Sequence, residues 1–154
     1  MSDGLAMALG TMHFGTKLNK DDSFELLDRY VDAGGLWIDT ADCYAFWNSD
    51  DGTHGQSEQV IGDWLSARPG MRDRVLIGTK VGVTPASAGG PEGLSAGALR
   101  EGLHASLGRL QTDRVDLYWA HKEDRTVDLA QSAVAFGELQ TLGLVGRTGW
   151  SNHP

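Results

Sequence analysis

The stretch Val75-Leu76-Ile77-Gly78-Thr79-Lys80 joins a short apolar run to a polar residue near its carboxyl end. An apolar run of this length, bounded by turn residues, is typical of a fully buried strand. We predict a strand at 75–78 with Lys80 just beyond it. Three further segments show the same arrangement, ending in Asp39, in His121 and in Ser151-Asn152, and another apolar run precedes them all at 7–11.

The segments between these runs have the residue spacing of helices. In the first, Asn19 and Asp22 resemble a capping box, in which an N-cap amide is followed three residues later by an acid. Ser95 is a good N-cap for the third segment, where leucines repeat every four residues. Five strands that alternate with four helices predict an α/β fold with a parallel sheet, because each helix then connects neighbouring strands.

The polar strand ends discriminate between two parallel architectures. An open nucleotide-binding sheet would have a G-x-G-x-x-G motif after its first strand, and residues 10–15, GTMHFG, do not match it. In a barrel, all the carboxyl ends of the strands meet at one mouth. We therefore predict a single domain over residues 1–154 of the (β/α)8 TIM-barrel type, with about five strands and four helices present.

The composition excludes several classes of protein. The chain has 154 residues, with 13 Lys+Arg against 21 Asp+Glu and a formal net charge of -8. Without a basic cluster it lacks the charge that binding to nucleic acid or anionic lipid requires. No apolar run reaches the roughly 18 residues of a membrane span. The single cysteine, Cys43, and the absence of a readable secretory signal predict a cytoplasmic protein.

Several motifs, in the right order, resemble those of the aldo-keto reductase family. Residues 35–44, GLWIDTADCY, are similar to the family's second strand and the loop that follows it, and residues 57–62, SEQVIG, to the next helix start. The third, fourth and fifth strands of the family are matched by residues 77–80, 107–121 and 149–152. The resemblance covers essentially the whole chain. It implies a (β/α)8 barrel and reduction of aldehydes and ketones with NADP(H).

The polar residues also suit carbonyl reduction on chemical grounds. A side chain cannot donate hydride, so a cofactor has to supply it. Tyr44 can protonate the developing alkoxide, and a cation beside a phenol makes this weak acid a better proton donor. Lys80 can be that cation, held charged and oriented by Asp39, and His121 can donate a hydrogen bond to the substrate carbonyl. We predict these four residues to be catalytic.

Other candidate residues concern the cofactor, the substrate and metal ions. Ser151 and Asn152 resemble the residues that hold the nicotinamide carboxamide in the family, so with Asp39 they are predicted to bind NADP(H). Phe46 and Trp47 lie in the loop after the second strand and are predicted to form part of the wall of a pocket for a small carbonyl substrate. The remaining histidines show no ligand spacing, so no metal site is predicted. Glu58 is interpreted as structural.

The length of the chain leaves alternatives open. A full barrel takes about 250 residues, so we expect this chain to be the amino-terminal part of a longer reductase with an incomplete cofactor site. Exposed sheet edges would leave self-association open if the chain is complete. Two other functions are also open, a non-catalytic module that senses cofactor or binds a partner, and a Schiff-base aldolase that uses Lys80.

Overall fold

The computed structural model describes residues 7–44, 53–83 and 93–152. Strands and helices alternate along the chain as predicted. The strands are β1 (Ala8–Gly10), β2 (Trp37–Asp39), β3 (Leu76–Val81), β4 (Val115–Ala120) and β5 (Val145–Trp150). The helices are α1 (Lys20–Asp32), α2 (Gln56–Ser66), α3 (Ala96–Leu110) and α4 (Leu129–Thr141), with a short 3-10 helix at Met71–Asp73.

The five strands form one parallel sheet in the order β1-β2-β3-β4-β5. Each strand therefore pairs with its neighbours in sequence, and each helix is the crossover between two adjacent strands. The register aligns Asp39 with Gly78 between β2 and β3, and Lys80 with Trp119 between β3 and β4. One end of the sheet thus collects the residues that follow every strand.

The helix ends follow from local sequence. The side chain of Asn19 accepts a hydrogen bond from the backbone N–H of Asp22 at 2.9 Å and donates one to the Asp22 carboxylate at 2.8 Å, so the predicted cap of α1 is confirmed. Ser95 caps α3 by accepting from the N–H of Ala98, and Asp128 caps α4 by accepting from that of Ala130. These caps satisfy backbone donors that have no partner within the helix.

The helices pack on one face of the sheet and enclose the core. The largest fully buried side chains include Trp64 of α2, Leu103 of α3 and Tyr118 of β4. Helices α2 and α3 approach closely at Gly62, where an added Cβ would lie 2.1 Å from the backbone oxygen of Arg109. Over the residues described above, no helix combines the length and hydrophobicity needed to span a bilayer.

Strand β3 is longer than predicted and includes Lys80, which therefore lies within the strand and not beyond it. The apolar pattern ends at Gly78, but Thr79 and Lys80 both remain buried because other segments supply polar partners for them. Since successive residues of a strand point to opposite faces, Thr79 is directed towards the helices and Lys80 towards the other face of the sheet.

Candidate active site

The centre of the site is a contact between an acid, a lysine and a phenol at the carboxyl end of the sheet. The Lys80 ammonium donates hydrogen bonds to Asp39 Oδ2 at 2.7 Å and to the Tyr44 hydroxyl oxygen at 2.9 Å. Its third acceptor is the backbone carbonyl of Thr40, at 2.7 Å. The Lys80 side chain is 10% exposed and that of Asp39 is 35% exposed, so the lysine is nearly buried while the carboxylate is partly open to solvent.

The backbone after β2 places Tyr44 beside Lys80. The N–H of Thr40 donates to the carbonyl of Gly78, and that of Asp42 donates to the carbonyl of Lys80, so the loop continues the hydrogen-bond ladder onto β3. The N–H of Tyr44 then closes a turn by donating to Ala41. The role of the Thr40 carbonyl has no signal in the sequence, because any residue type supplies a backbone carbonyl.

His121 lies against this group from the next strand. Its ring contacts the Tyr44 ring edge-on, with 5.9 Å between the ring centroids. Its backbone N–H donates to the carbonyl of Val81, which holds the residue at the end of β4. Burial, and secondarily the positive charge of Lys80, lower the pKa of His121 to about 4, although the Asp39 carboxylate acts in the opposite direction. The imidazole is therefore neutral at pH 7.

The thiol of Cys43 contacts the His121 ring, with Sγ 3.5 Å from the Nδ1 atom of the imidazole. A carboxylate oxygen of Asp42 joins them, and the ligand atoms of all three residues lie within 4.8 Å of one another. Burial, followed by the charge of Asp42, raises the pKa of the Cys43 thiol to about 12. Of these three residues, Cys43 and His121 are the pair whose side chains lie within hydrogen-bonding distance.

The predicted nicotinamide-binding residues follow β5 on the same side of the sheet. The N–H of Ser151 donates to the carbonyl of Ala120 at 2.8 Å, which extends the β4–β5 ladder. The Asn152 side-chain amide donates to the backbone carbonyl of His121 at 2.8 Å and to the Ser151 hydroxyl at 3.2 Å. These contacts orient the Asn152 amide with its carbonyl oxygen available as an acceptor. A hydroxyl and an amide oxygen beside His121 match the donor and acceptor needs of a carboxamide.

Two further predictions have different outcomes. Phe46 and Trp47 lie outside the described residues, so their part in a substrate pocket stays a prediction. Glu58 is fully buried in the first turn of α2, where it accepts hydrogen bonds from Thr79 at 2.5 Å and from the Arg109 guanidinium at 2.7 Å. These contacts join α2 to β3 and α3, which agrees with the structural role that the sequence predicts for Glu58.

An acid, a lysine, a phenol and an imidazole at the carboxyl end of a parallel α/β sheet occupy the position at which TIM-barrel enzymes carry their catalytic residues. The sequence matches the aldo/keto reductase family over residues 6–154. The chain therefore belongs to the aldo/keto reductase family. It is 33% identical to norsolorinic acid reductase stcV of Emericella nidulans, in an alignment that covers 96% of this chain and 39% of that protein.

Solved structures show the same relationship. An aldo-keto reductase from Klebsiella pneumoniae, in complex with NADPH, has a TM-score of 0.78 and 30% identity, covering 96% of this chain and 45% of that one. The holo form of aldo-keto reductase AKR11C1 from Bacillus halodurans has a TM-score of 0.78 and 28% identity, covering 96% and 46%. The predicted (β/α)8 barrel-type fold is confirmed. The chain spans less than half the length of these relatives.

Proposed function

We propose that the protein reduces aldehydes or ketones to alcohols with NADP(H). The observation that carries this proposal is the contact of the Lys80 ammonium with both the Tyr44 hydroxyl, at 2.9 Å, and the Asp39 carboxylate, at 2.7 Å. Reduction of a carbonyl adds a hydride to carbon and a proton to oxygen. This group of side chains is suited to the second of these transfers.

Tyr44 is the better candidate for the proton donor than His121. A neutral imidazole is a very weak acid, and the lowered pKa of His121, about 4, leaves it neutral at pH 7. In the contact with Lys80 the Tyr44 oxygen is the acceptor, so the contact does not consume the hydroxyl proton. When that proton passes to the substrate oxygen, the ammonium stabilises the phenolate that remains. His121 is left to orient the carbonyl by a hydrogen bond.

The cofactor would supply the hydride at the substrate carbon. Asn152 and Ser151 would hold its carboxamide, with the Asn152 amide already oriented by its bond to the His121 carbonyl. The NADPH in the structure of the Klebsiella pneumoniae relative supports this choice of cofactor. Asp39, at the end of β2, would also contribute to the cofactor site.

The contacts of Lys80 count against a Schiff-base aldolase. A nucleophilic lysine needs a neutral amine with a lone pair directed at the substrate. Each of the three ammonium protons of Lys80 instead has an acceptor, on Asp39, Thr40 and Tyr44. A non-catalytic module that binds cofactor without turnover is distinguished from a reductase by the assay below.

Replacement of Tyr44 tests the proposal. In Tyr44→Phe, NADPH oxidation with a simple aldehyde should fall by about 10²–10⁴-fold, the usual contribution of a general acid, while binding of NADPH is retained. Tyr30→Phe is the matched control, because the Tyr30 hydroxyl bonds to the carbonyls of Met7 and Trp37, away from the site. Undiminished turnover by Tyr44→Phe would refute the role of Tyr44. Cofactor binding with no turnover by the wild-type protein would favour the non-catalytic module.

A further inference from the structure

Cys43 and His121 form a contact that the mechanism above does not use. The Cys43 side chain is 1% exposed, and its sulfur lies 3.5 Å from His121 Nδ1. His121 donates its N–H to the Val81 carbonyl of β3, and Asp42, which precedes Cys43, donates its N–H to the Lys80 carbonyl. Backbone bonds to β3 thus hold His121 and the residue before Cys43 beside the same strand.

The chemistry of the two groups decides which of them donates. A thiol sulfur is a weak acceptor, whereas the unprotonated nitrogen of a neutral imidazole is a good one. Cys43 is buried, so water does not compete for the thiol, and His121 is half-buried. The raised pKa of Cys43, about 12, keeps the S–H proton in place, and the lowered pKa of His121, about 4, keeps one imidazole nitrogen free to accept it. The favoured arrangement is S–H···Nδ1.

We propose that Cys43 is a positioning residue, whose thiol donates to Nδ1 of His121 and so keeps the imidazole proton on Nε2. Nε2 is the nitrogen that remains for the substrate, since Nδ1 faces the buried sulfur. In the other tautomer, the lone pair of the unprotonated Nε2 would face a lone pair of the substrate carbonyl oxygen. The two would repel each other, and no hydrogen bond could form. This inference rests on the proposed function, because it assigns His121 its hydrogen bond to the carbonyl.

Histidine nitrogen NMR of the protein at pH 7 tests the tautomer directly, with the His121 signals assigned from a His121→Gln spectrum. In the wild-type protein, the His121 proton should lie on Nε2. Cys43→Ala should shift population towards the Nδ1-protonated form, whereas Cys43→Ser, which keeps a donor, should resemble the wild type. A wild-type proton on Nδ1, or an Ala spectrum unchanged from wild type, would overturn the proposal.

Turnover gives a second readout. We expect kcat to fall about five- to tenfold in Cys43→Ala, the effect of one lost hydrogen bond, and to recover in Cys43→Ser. Cys43→Val, which fills the space without a donor, should behave like the Ala variant. If kcat recovers in Cys43→Val and not in Cys43→Ser, Cys43 acts through packing, which contradicts the proposal. The NMR measurement does not depend on turnover. An inactive wild-type protein would therefore count against the reductase function, while the tautomer of His121 could still be determined.

Discussion

The two faces of β3 carry similar chemistry in opposite surroundings. On one face, Thr79 donates to Glu58, whose carboxylate is paired with Arg109. On the other, the adjacent Lys80 is paired with Asp39 and donates to a phenol oxygen, that of Tyr44. Each face thus holds a salt bridge that is hydrogen-bonded to a hydroxyl group. One is sealed between sheet and helices, and the other lies at the open end of the strands.

The two ion pairs differ in their exposure to solvent. The Glu58 side chain is 0% exposed, whereas that of Asp39 is 35% exposed. A fully buried carboxylate needs each of its partners, because a charge left unpaired in the interior is costly. A partly exposed pair is screened by solvent and adds less to stability, but it can meet a substrate. The sealed pair therefore serves the fold, and the open pair is suited to chemistry.

Loss of Glu58 should have the largest effect on stability. In Glu58→Ala, Arg109 loses its buried partner and Thr79 loses its acceptor, so the free energy of unfolding should drop by about 3–5 kcal/mol. Urea denaturation measures this change.

Glu138→Ala is the matched control, since Glu138 pairs with Arg100 at the surface and is 49% exposed. We expect this variant to remain within about 0.5 kcal/mol of wild type. Equal effects of the two substitutions would remove the distinction between a sealed and an exposed pair.

Disruption of the close packing between α2 and α3, beside the Glu58–Arg109 pair, should have the next largest effect on stability. A Cβ at Gly62 would lie 2.1 Å from the Arg109 backbone oxygen, so Gly62→Ala has to push α2 away from α3. Overpacking of this kind costs about 1–3 kcal/mol, measured as a lower midpoint of thermal unfolding.

Gly108→Ala is the matched helical control, because nothing lies within 4 Å of its added Cβ. This substitution should raise stability by about 0.5–1 kcal/mol, as alanine favours the helix. A destabilised Gly108→Ala would show that α3 responds to any added methyl group, and not to the contact at Gly62.

Local patterns made most of the fold predictable, and distant contacts account for what was not. The capping pair of Asn19 and Asp22 lies three residues apart, so the start of α1 is readable from the sequence. The apolar pattern predicts the end of β3 too early, because Lys80 pairs through its backbone with Trp119 of β4, which is distant in sequence. The contact of Cys43 with His121 joins residues that are 78 positions apart, and no spacing rule connects them.

The open face is tested through the pH dependence of stability. Because the pKa of His121 is about 4 in the folded protein and near 6.5 in the unfolded chain, the unfolded chain binds a proton first as pH falls. The contribution of His121 to stability is therefore complete above pH 6.5 and is lost between pH 6.5 and 4. His121→Gln should flatten the fall in unfolding free energy over this window.

A surface histidine separates this effect from general acid denaturation. His104 is exposed on α3, so His104→Gln should keep the wild-type slope between pH 6.5 and 4. The difference between each variant and the wild type removes the contribution of groups far from the substituted histidine. If His121→Gln follows the wild-type curve, the imidazole takes up its proton as readily in the folded protein as in the unfolded chain. His121 would then be charged in part near neutral pH, and the assignment of Tyr44 as the proton donor would lose its electrostatic support.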